Sequence, residues 1–144
     1  MKDIVIRDYS PSDYPKIIDL WGQTGLGGAR RGDNQQIIEQ SIAMGGKMLV
    51  ADYRGEPVGT SWMTFDGRRL HLHHFGVLPT FQRKGIGRML TVESLKYAKM
   101  KGYQIKLEVH QSNKSAISLY KKFGFDFLGD YDVYIIRDVK GLSF

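Results

Sequence analysis

The stretch that most limits what this chain can become is a strand-like run, Leu70 to Leu78, closed by Pro79. A basic glycine turn follows, Gln82-Arg83-Lys84-Gly85-Ile86-Gly87, and then a helical run from Arg88 to Lys101 that stops at Gly102. Two glycines remove the Cβ atoms that would hold a ligand off the backbone. The N–H groups of the turn and of the first helical turn then point outward, where the helix dipole also favours an anion. Arg83, Lys84 and Arg88 concentrate positive charge at the same place. The combination predicts a site for a phosphate-bearing ligand, against the alternative of a surface turn that happens to be basic. The turn is not a P-loop, because no Gly-Lys-Ser/Thr run follows Gly87. It is not a dinucleotide turn either, because Leu90 stands where the third glycine belongs.

A length of 144 residues with 42% hydrophobic and 25% charged side chains predicts one globular domain over 1–144 with a core of its own. No apolar run is long enough to span a bilayer, and Met1-Lys2-Asp3-Ile4 does not open a signal peptide, so the expectation is a cytoplasmic protein with no membrane role. The absence of cysteine rules out disulfides, thiolate metal sites and a cysteine acyl-enzyme. The four histidines have no ligand-like spacing to carboxylates, so no metal is expected. A formal charge of +6 suits an anionic partner, either nucleic acid or a phosphorylated small molecule.

Ile4 and Ile6 alternate with polar neighbours and predict a first strand. Ser12 or Asp13 then caps a helix carrying Tyr14, Ile17, Ile18 and Trp21 on one face, stopped by Gly22. Gly22 to Gly32, with five glycines and the pair Arg30-Arg31, reads as a mobile loop. A second helix is predicted with Asp33 as cap, Gln36 in capping-box position, Ile37, Ile38 and Ser41 on one face, and Gly45-Gly46 at its end. Three strands, Met48 to Tyr53, Val58 to Phe65 and Leu70 to Leu78, are joined by hairpin-length turns and predict an antiparallel meander.

Apolar residues in the third of these strands change phase, from Leu70 and Leu72 to Phe75 and Val77. Either a β-bulge absorbs a residue near His73-His74, or the strand is buried on both faces beyond that point. The helix after the glycine turn, with Ile86, Leu90, Tyr97 and Ala98 on one broad face, crosses over to a parallel strand, Tyr103 to Val109. Gln111-Ser112-Asn113 then caps a helix with Ala116, Ile117, Tyr120 and Phe123 on one stripe, and a last strand is predicted at about Tyr131 to Arg137.

Two ordered motifs, Gln82-x-x-Gly85-x-Gly87 and Glu108-Val-x-x-x-Asn113-x-x-Ala116-x-x-Leu119-Tyr120, lie in the element order β-α-α-β-β-β-α-β-α-β. In this the chain resembles the GNAT superfamily of N-acetyltransferases over nearly its whole length, and the second string is most similar to that of protein N-terminal acetyltransferases of the ribosomal-protein type. The resemblance implies an α/β (α+β) fold, in which about four helices flank a mixed, mostly antiparallel twisted sheet. Its parallel strands, 70–78 and 103–109, would splay to admit acetyl-CoA. It implies cofactor contacts at Val77, at Gln82, Arg83, Lys84, Gly85, Ile86, Gly87 and Arg88, and at Asn113 and Tyr120. The amine must attack the thioester directly, which calls for a base, an oxyanion donor and an acid for the leaving thiolate.

Tyr120 matches the family's acid, with a core tyrosine as the alternative, and Asn113 combines a cofactor contact with a helix cap. For the base, Glu108 stands at the position that carries a catalytic Glu or His in the N-terminal acetyltransferases. His71 is its competitor, with His73 two residues further on. The implied acceptor is a peptide or small-molecule amine, with a pocket drawn from Trp21, Gly22 to Asp33, Trp62 and Asp130-Tyr131-Asp132. There Arg30 and Arg31 favour a carboxylate while Asp130 and Asp132 favour a cation. A homodimer is left open. The alternatives are a nucleic-acid-binding module, disfavoured because the densest basic cluster coincides with the glycine turn, and a non-catalytic acyl-CoA-binding regulatory domain, disfavoured by the presence of both Glu108 and Tyr120.

Overall fold

The structure, a computed structural model, describes residues 2–27 and 32–144. Its elements are β1 (Ile4–Asp8), α1 (Tyr14–Thr24), α2 (Gln35–Ala43), β2 (Lys47–Tyr53), β3 (Glu56–Phe65), β4 (Arg69–Val77), α3 (Ile86–Lys101), β5 (Gln104–Leu107) and α4 (Lys114–Lys122). The strands form one sheet in the order β1-β2-β3-β4-β5, antiparallel throughout except for the parallel pair β4-β5. Hairpins join β2 to β3 and β3 to β4, the chain returns from β1 to β2 through α1 and α2, and the α3 crossover gives the parallel pair. The mixed α/β sheet is therefore the one expected, with four α-helices around it.

Both faces of the sheet are covered. Leu49, Ala51, Met63, Leu70 and Leu72 pack with Ile86, Leu90, Ala98 and Tyr120 under α3 and α4, while Met48, Val50 and Trp62 pack with Ile17, Leu20, Trp21 and Ile38 under α1 and α2. β2 therefore reads as an unbroken apolar run instead of an alternating one. Each fully buried large side chain contributes about 1.5–3 kcal/mol, which makes this pair of interfaces the main source of stability. Among the described residues no helix is long and apolar enough to cross a membrane.

Several expectations need correction. Gly22 does not stop α1: the helix runs on to Thr24 and ends at Gly25, whose left-handed backbone (φ 72°) closes it. Leu20 is buried on its inner face, whereas Ile18 is 38% exposed. Asp13 makes no side-chain cap on α1; its carboxylate accepts two hydrogen bonds from Arg7 at 2.8 Å and one from the Ser10 N–H at 2.8 Å. The cap of α2 is Asn34, whose Oδ1 accepts the Ile37 N–H at 2.8 Å, and not Asp33. β5 is four residues long and ends before Glu108. No strand forms at Tyr131 to Arg137; Tyr131, Val133 and Ile135 stay 78%, 70% and 68% exposed. Alternation there reports β-propensity only, and a strand also requires a paired neighbour.

Arg7 bridges Asp13 and Asp52, both at 2.8 Å, tying the start of α1 to β1 and β2. The hydrogen bonds from Arg7 hold the Asp13 carboxyl below the usual carboxylate range, against the opposing effect of burial. A carboxyl depressed in the folded state stabilises the fold above its unfolded pKa of about 3.9 and loses that contribution as pH falls through this value toward the folded one. Asp13→Asn should therefore cost about 1.5–3 kcal/mol at pH 7 and less at pH 3. Urea unfolding of both proteins at the two pH values measures the difference.

Candidate active site

β4 organises the site because its two edges are paired unequally. Along β3 it is paired from Leu70 to Val77, but along β5 its parallel partners run only from Arg69↔Gln104 to Leu72↔Leu107. From His73 onward the outer edge of β4 has no β5 neighbour, and the chain at Glu108 diverges. The phase change read from the sequence is a bulge: Thr60 pairs with Gly76 and Trp62 with His73, so β4 holds one residue more than β3 across this interval. The surplus falls at His74, whose φ of 45° is unusual for a residue with a side chain. Before the bulge Leu72 faces the α3/α4 core; after it Phe75 and Val77 do. The bulge keeps both halves of the strand in register with one core.

The strand then enters a short 3-10 turn, Pro79–Phe81, and the basic turn. Gln82 donates its amide to the Val77 carbonyl at 3.0 Å, so this pair braces the turn from inside. Arg83 and Gly85 both adopt left-handed backbone, φ 60° and 83°, and Gly85 is the N-cap of α3 without any side-chain cap. The first intrahelical bond runs from the Met89 N–H to the Gly85 carbonyl at 3.0 Å, which leaves the N–H groups of Ile86, Gly87 and Arg88 at the open end of the helix. The Ile86 side chain is buried in the core, so only its backbone faces outward. Arg83 and Lys84 are exposed and form no ion pair among the described residues, while Arg88 lies over the Phe123 ring at 5.2 Å. Open N–H groups, free cations and absent side chains fit the pyrophosphate of a CoA-type ligand.

Tyr120 lies on the α3/α4 side, 7% exposed, with its ring edge-on to Phe75 and Phe125 at 5.6 Å each. Phe75 reaches toward both Tyr120 and Gly87, where a Cβ would stand 3.8 Å from the Phe75 ring and 3.5 Å from Leu119. Tyr120 is thereby packed between the bulge and the first turn of α3. Burial pushes its phenol up to about 12, so the hydroxyl stays protonated at neutral pH. Leu107 and Val109 face the same core as Tyr120, and the alternation between them turns Glu108 toward the opposite face, where it is exposed. Asn113 caps α4 through Oδ1 and the Ala116 N–H at 3.3 Å.

The histidines separate into different environments. His71 lies in the paired part of β4, opposite Lys106, with Nε2 3.0 Å from Asp66, and it helps hold the Asp66 carboxyl well below the usual range. His73 is at the start of the opening, its Nε2 2.8 Å from Thr64 Oγ1. Local desolvation and the flanking imidazoles of His74 and His71 push it down to about 4, although its outer edge reaches solvent. His74, which carried no functional reading in the sequence, is paired with Asp33 at 2.7 Å. Forty-one residues separate the two, and the capping pattern around Asp33 pointed to a different role. Of the expected acceptor-pocket residues, Trp21 and Trp62 stack at 5.9 Å beneath the bulge. Asp130, Tyr131 and Asp132 stand exposed outside the sheet, and Arg30 and Arg31 lie outside the described residues.

Fold and site together define an α/β domain in which the stretch of β4 without a β5 partner continues directly into a basic glycine turn at the open end of a helix. The family model described as Acetyltransferase (GNAT) family matches residues 14–125, and the chain belongs to that family. Its fold is similar to an acetyltransferase from Streptococcus agalactiae 2603 (TM-score 0.78, 21% identity, 94% of this chain and 93% of that one). It is also similar to the ribosomal-protein-S18-alanine N-acetyltransferase from Escherichia coli (0.73, 20%, 85% and 77%). A further similar fold is a GNAT family acetyltransferase from Elizabethkingia anophelis solved with acetyl-CoA bound (0.62, 22%, 88% and 78%).

The turn makes different demands at its two glycines. Gly85 needs a left-handed backbone, so Gly85→Val should cost about 1–2 kcal/mol of stability. At Gly87 a Cβ meets only ordinary contacts, and Gly87→Val should fold normally. Both should abolish acetyl-CoA binding in isothermal titration, because each puts a branched side chain where the phosphates approach the backbone. Unchanged affinity in either variant would place the phosphates elsewhere.

Proposed function

We propose that residues 1–144 act as one acetyltransferase domain that moves an acetyl group from acetyl-CoA directly onto a primary amine of a peptide, protein or small molecule, without an acyl-enzyme. The observation that carries this reading is the continuity of the basic turn with the unpaired edge of β4, with Tyr120 on one side of the sheet and Glu108 on the other. Acetyl-CoA supplies the acyl thioester, held at its phosphates by the N–H groups of Ile86, Gly87 and Arg88 and by the side chains of Arg83 and Lys84. Backbone groups of β4 beyond Leu72, including Val77, line its arm, and Asn113 closes the other side.

An amine reaches the site as an ammonium and needs a base before it can attack. Glu108, next to the last β4-β5 pair and exposed on the face opposite Tyr120, is placed for that step, directly or through one water. His71 is less well placed, because it sits where the strands are still paired and is bound to Asp66. His73 has its Nε2 engaged with Thr64 Oγ1 at 2.8 Å, and its imidazole, pushed down to about 4, has lost the near-neutral poise that makes a histidine a good base. Glu108 takes the ammonium proton, the freed lone pair attacks the acyl carbon, and the C–S bond breaks as Tyr120 donates its hydroxyl hydrogen to sulfur. The remaining extra proton on the new amide nitrogen passes through solvent to restore the Tyr120 phenol, while Glu108 releases its proton to solvent, leaving amide and free thiol. A phenol near 12 is a weak acid toward a free thiolate, but the burial that raises it also raises the thiol. Its first contribution is then a hydrogen bond to the charge that develops on sulfur.

The resemblance to N-terminal acetyltransferases makes a peptide α-amine the leading acceptor class. Thiol release from acetyl-CoA, measured against an alanine-initiated hexapeptide, a lysine peptide, spermidine and free amino acids, tests the function; no release with any amine, together with no binding of acetyl-CoA, would overturn it. Tyr120→Phe keeps the ring packed and should lower turnover by about 10²- to 10⁴-fold with acetyl-CoA binding retained. In the wild-type enzyme the loss of rate from phenol ionisation should begin only as pH approaches about 12, so the phenol adds no falling limb in the ordinary assay range. Glu108→Gln should weaken the low-pH limb strongly and His71→Ala only slightly; the reverse pattern would make His71 the base.

A further inference from the structure

We propose that Asp33 and His74 are positioning residues for acetyl transfer, a buried pair that holds the β4 bulge in the shape the thioester needs. This role presupposes acetyl transfer at the opening beside β4, and Asp33 and His74 are distinct from the residues assigned to acid and base.

The bulge forms the β4 wall of that opening, because the last β4-β5 pair is Leu72↔Leu107 and the surplus residue follows at His74. A left-handed backbone at a residue with a side chain is strained and persists only where its surroundings enforce it. Those surroundings are specific. Asp33 Oδ2 lies 2.7 Å from His74 Nε2, and both side chains are only 9% exposed. The imidazole packs against Trp21 and Trp62, with ring centroids at 4.5 and 5.1 Å. The His74 carbonyl, turned out of the ladder by the bulge, accepts from Thr60 Oγ1 at 2.7 Å, and that oxygen accepts from Trp21 Nε1 at 2.9 Å. Trp62 Nε1 in turn donates to Ser41 Oγ on α2 at 2.8 Å.

The chain after α1 presses on the same bulge. A Cβ at Gly27 would stand 2.7 Å from Trp21 Cε3 and 3.3 Å from His74 Cδ2, and one at Gly76 would stand 2.6 Å from Leu26 Cδ1. Asp33 is available for this contact because Asn34 has taken the capping role. The carboxylate thus fastens the start of α2 to the imidazole, and the imidazole fixes the backbone of His74, Phe75 and Gly76. Phe75 then transmits that position to Tyr120, whose ring it meets edge-on. A displacement of the reacting groups by about 1 Å is worth up to roughly 100-fold in rate.

The test is Asp33→Asn, which keeps size and polarity but removes the charge that faces His74. With the alanine-initiated hexapeptide or spermidine as acceptor probe, kcat should fall roughly 10- to 100-fold while the Kd for acetyl-CoA stays within about twofold. Hydrogen exchange should accelerate together at residues 33–34 and 73–77, with strands β2 and β3 unchanged, as expected of a local opening. Asp33→Glu should recover part of kcat. If Asp33→Asn folds poorly, His74→Asn serves instead, since asparagine tolerates left-handed backbone. Normal kcat, or faster exchange at 33–34 with residues 73–77 unaffected, would overturn the proposal. Should the wild-type chain acetylate neither probe, the acetyl-transfer reading fails for those amines, while the exchange experiment still decides whether Asp33 holds the bulge.

Discussion

The unequal pairing of β4 is the constraint on which the rest depends. One edge is hydrogen-bonded along β3 through the bulge to Val77, and the other is held by β5 for only four residues. A strand paired fully on both sides would leave no backbone for a ligand, and one unpaired on both sides would not stay in the sheet. The bulge satisfies both demands. It re-phases the side chains so that Leu72 and Phe75 face the same core, and it releases backbone groups from the ladder beside the opening.

Everything around that strand serves to fix it from two faces. On one face α3 is clamped to the sheet by apolar packing, by the Ser61–Ser94 hydroxyl pair at 2.7 Å and by the Tyr97 hydroxyl donating to the Gly45 carbonyl at 2.8 Å, which sets the height of its N-terminal turn over the sheet. On the other, the stacked Trp21 and Trp62 rings and the Asp33–His74 pair hold the bulge from below. The basic turn and the bulge are thus anchored to different cores joined by one strand. With the proposed acid, Tyr120, on one face and the proposed base, Glu108, on the other, an amine would approach from the side opposite the departing sulfur.

Much of this was legible in the residues because short-range patterns carry it. The phase change between Leu72 and Phe75 narrowed β4 to a bulge or a strand buried on both faces, and the register chose the bulge; the glycines and cations of Gln82–Arg88 foretold the open helix end, and the apolar stripe of α4 placed Tyr120. Less legible were features decided by competition or by distance in the chain. Asp33 and Asn34 are both good caps, and only the fold reveals that Asn34 caps while Asp33 reaches His74, 41 residues away. Gly22 looked like a helix stop, yet Trp21 and Leu20 are buried so firmly that the helix runs past it to Gly25. The alternation from Tyr131 to Ile135 has the look of a strand, but such a pattern says nothing about whether an edge is there to receive it. Histidines 71, 73 and 74 were one cluster in the sequence; the ladder and the bulge divide them into a turn brace, a depressed imidazole and a buried buttress.

The central claim is that one continuous surface, from the basic turn to the bulge, holds the acyl donor. Backbone amide chemical shifts of the labelled protein, recorded on titration with acetyl-CoA, test it most directly. The account predicts that the largest changes fall on Arg83 to Arg88 and on Phe75 and Gly76, with smaller ones at Asn113 and Tyr120. Changes confined to another surface, such as the groove between β1, β2 and α3 lined by Ile6, Lys47 and Tyr97, would contradict it.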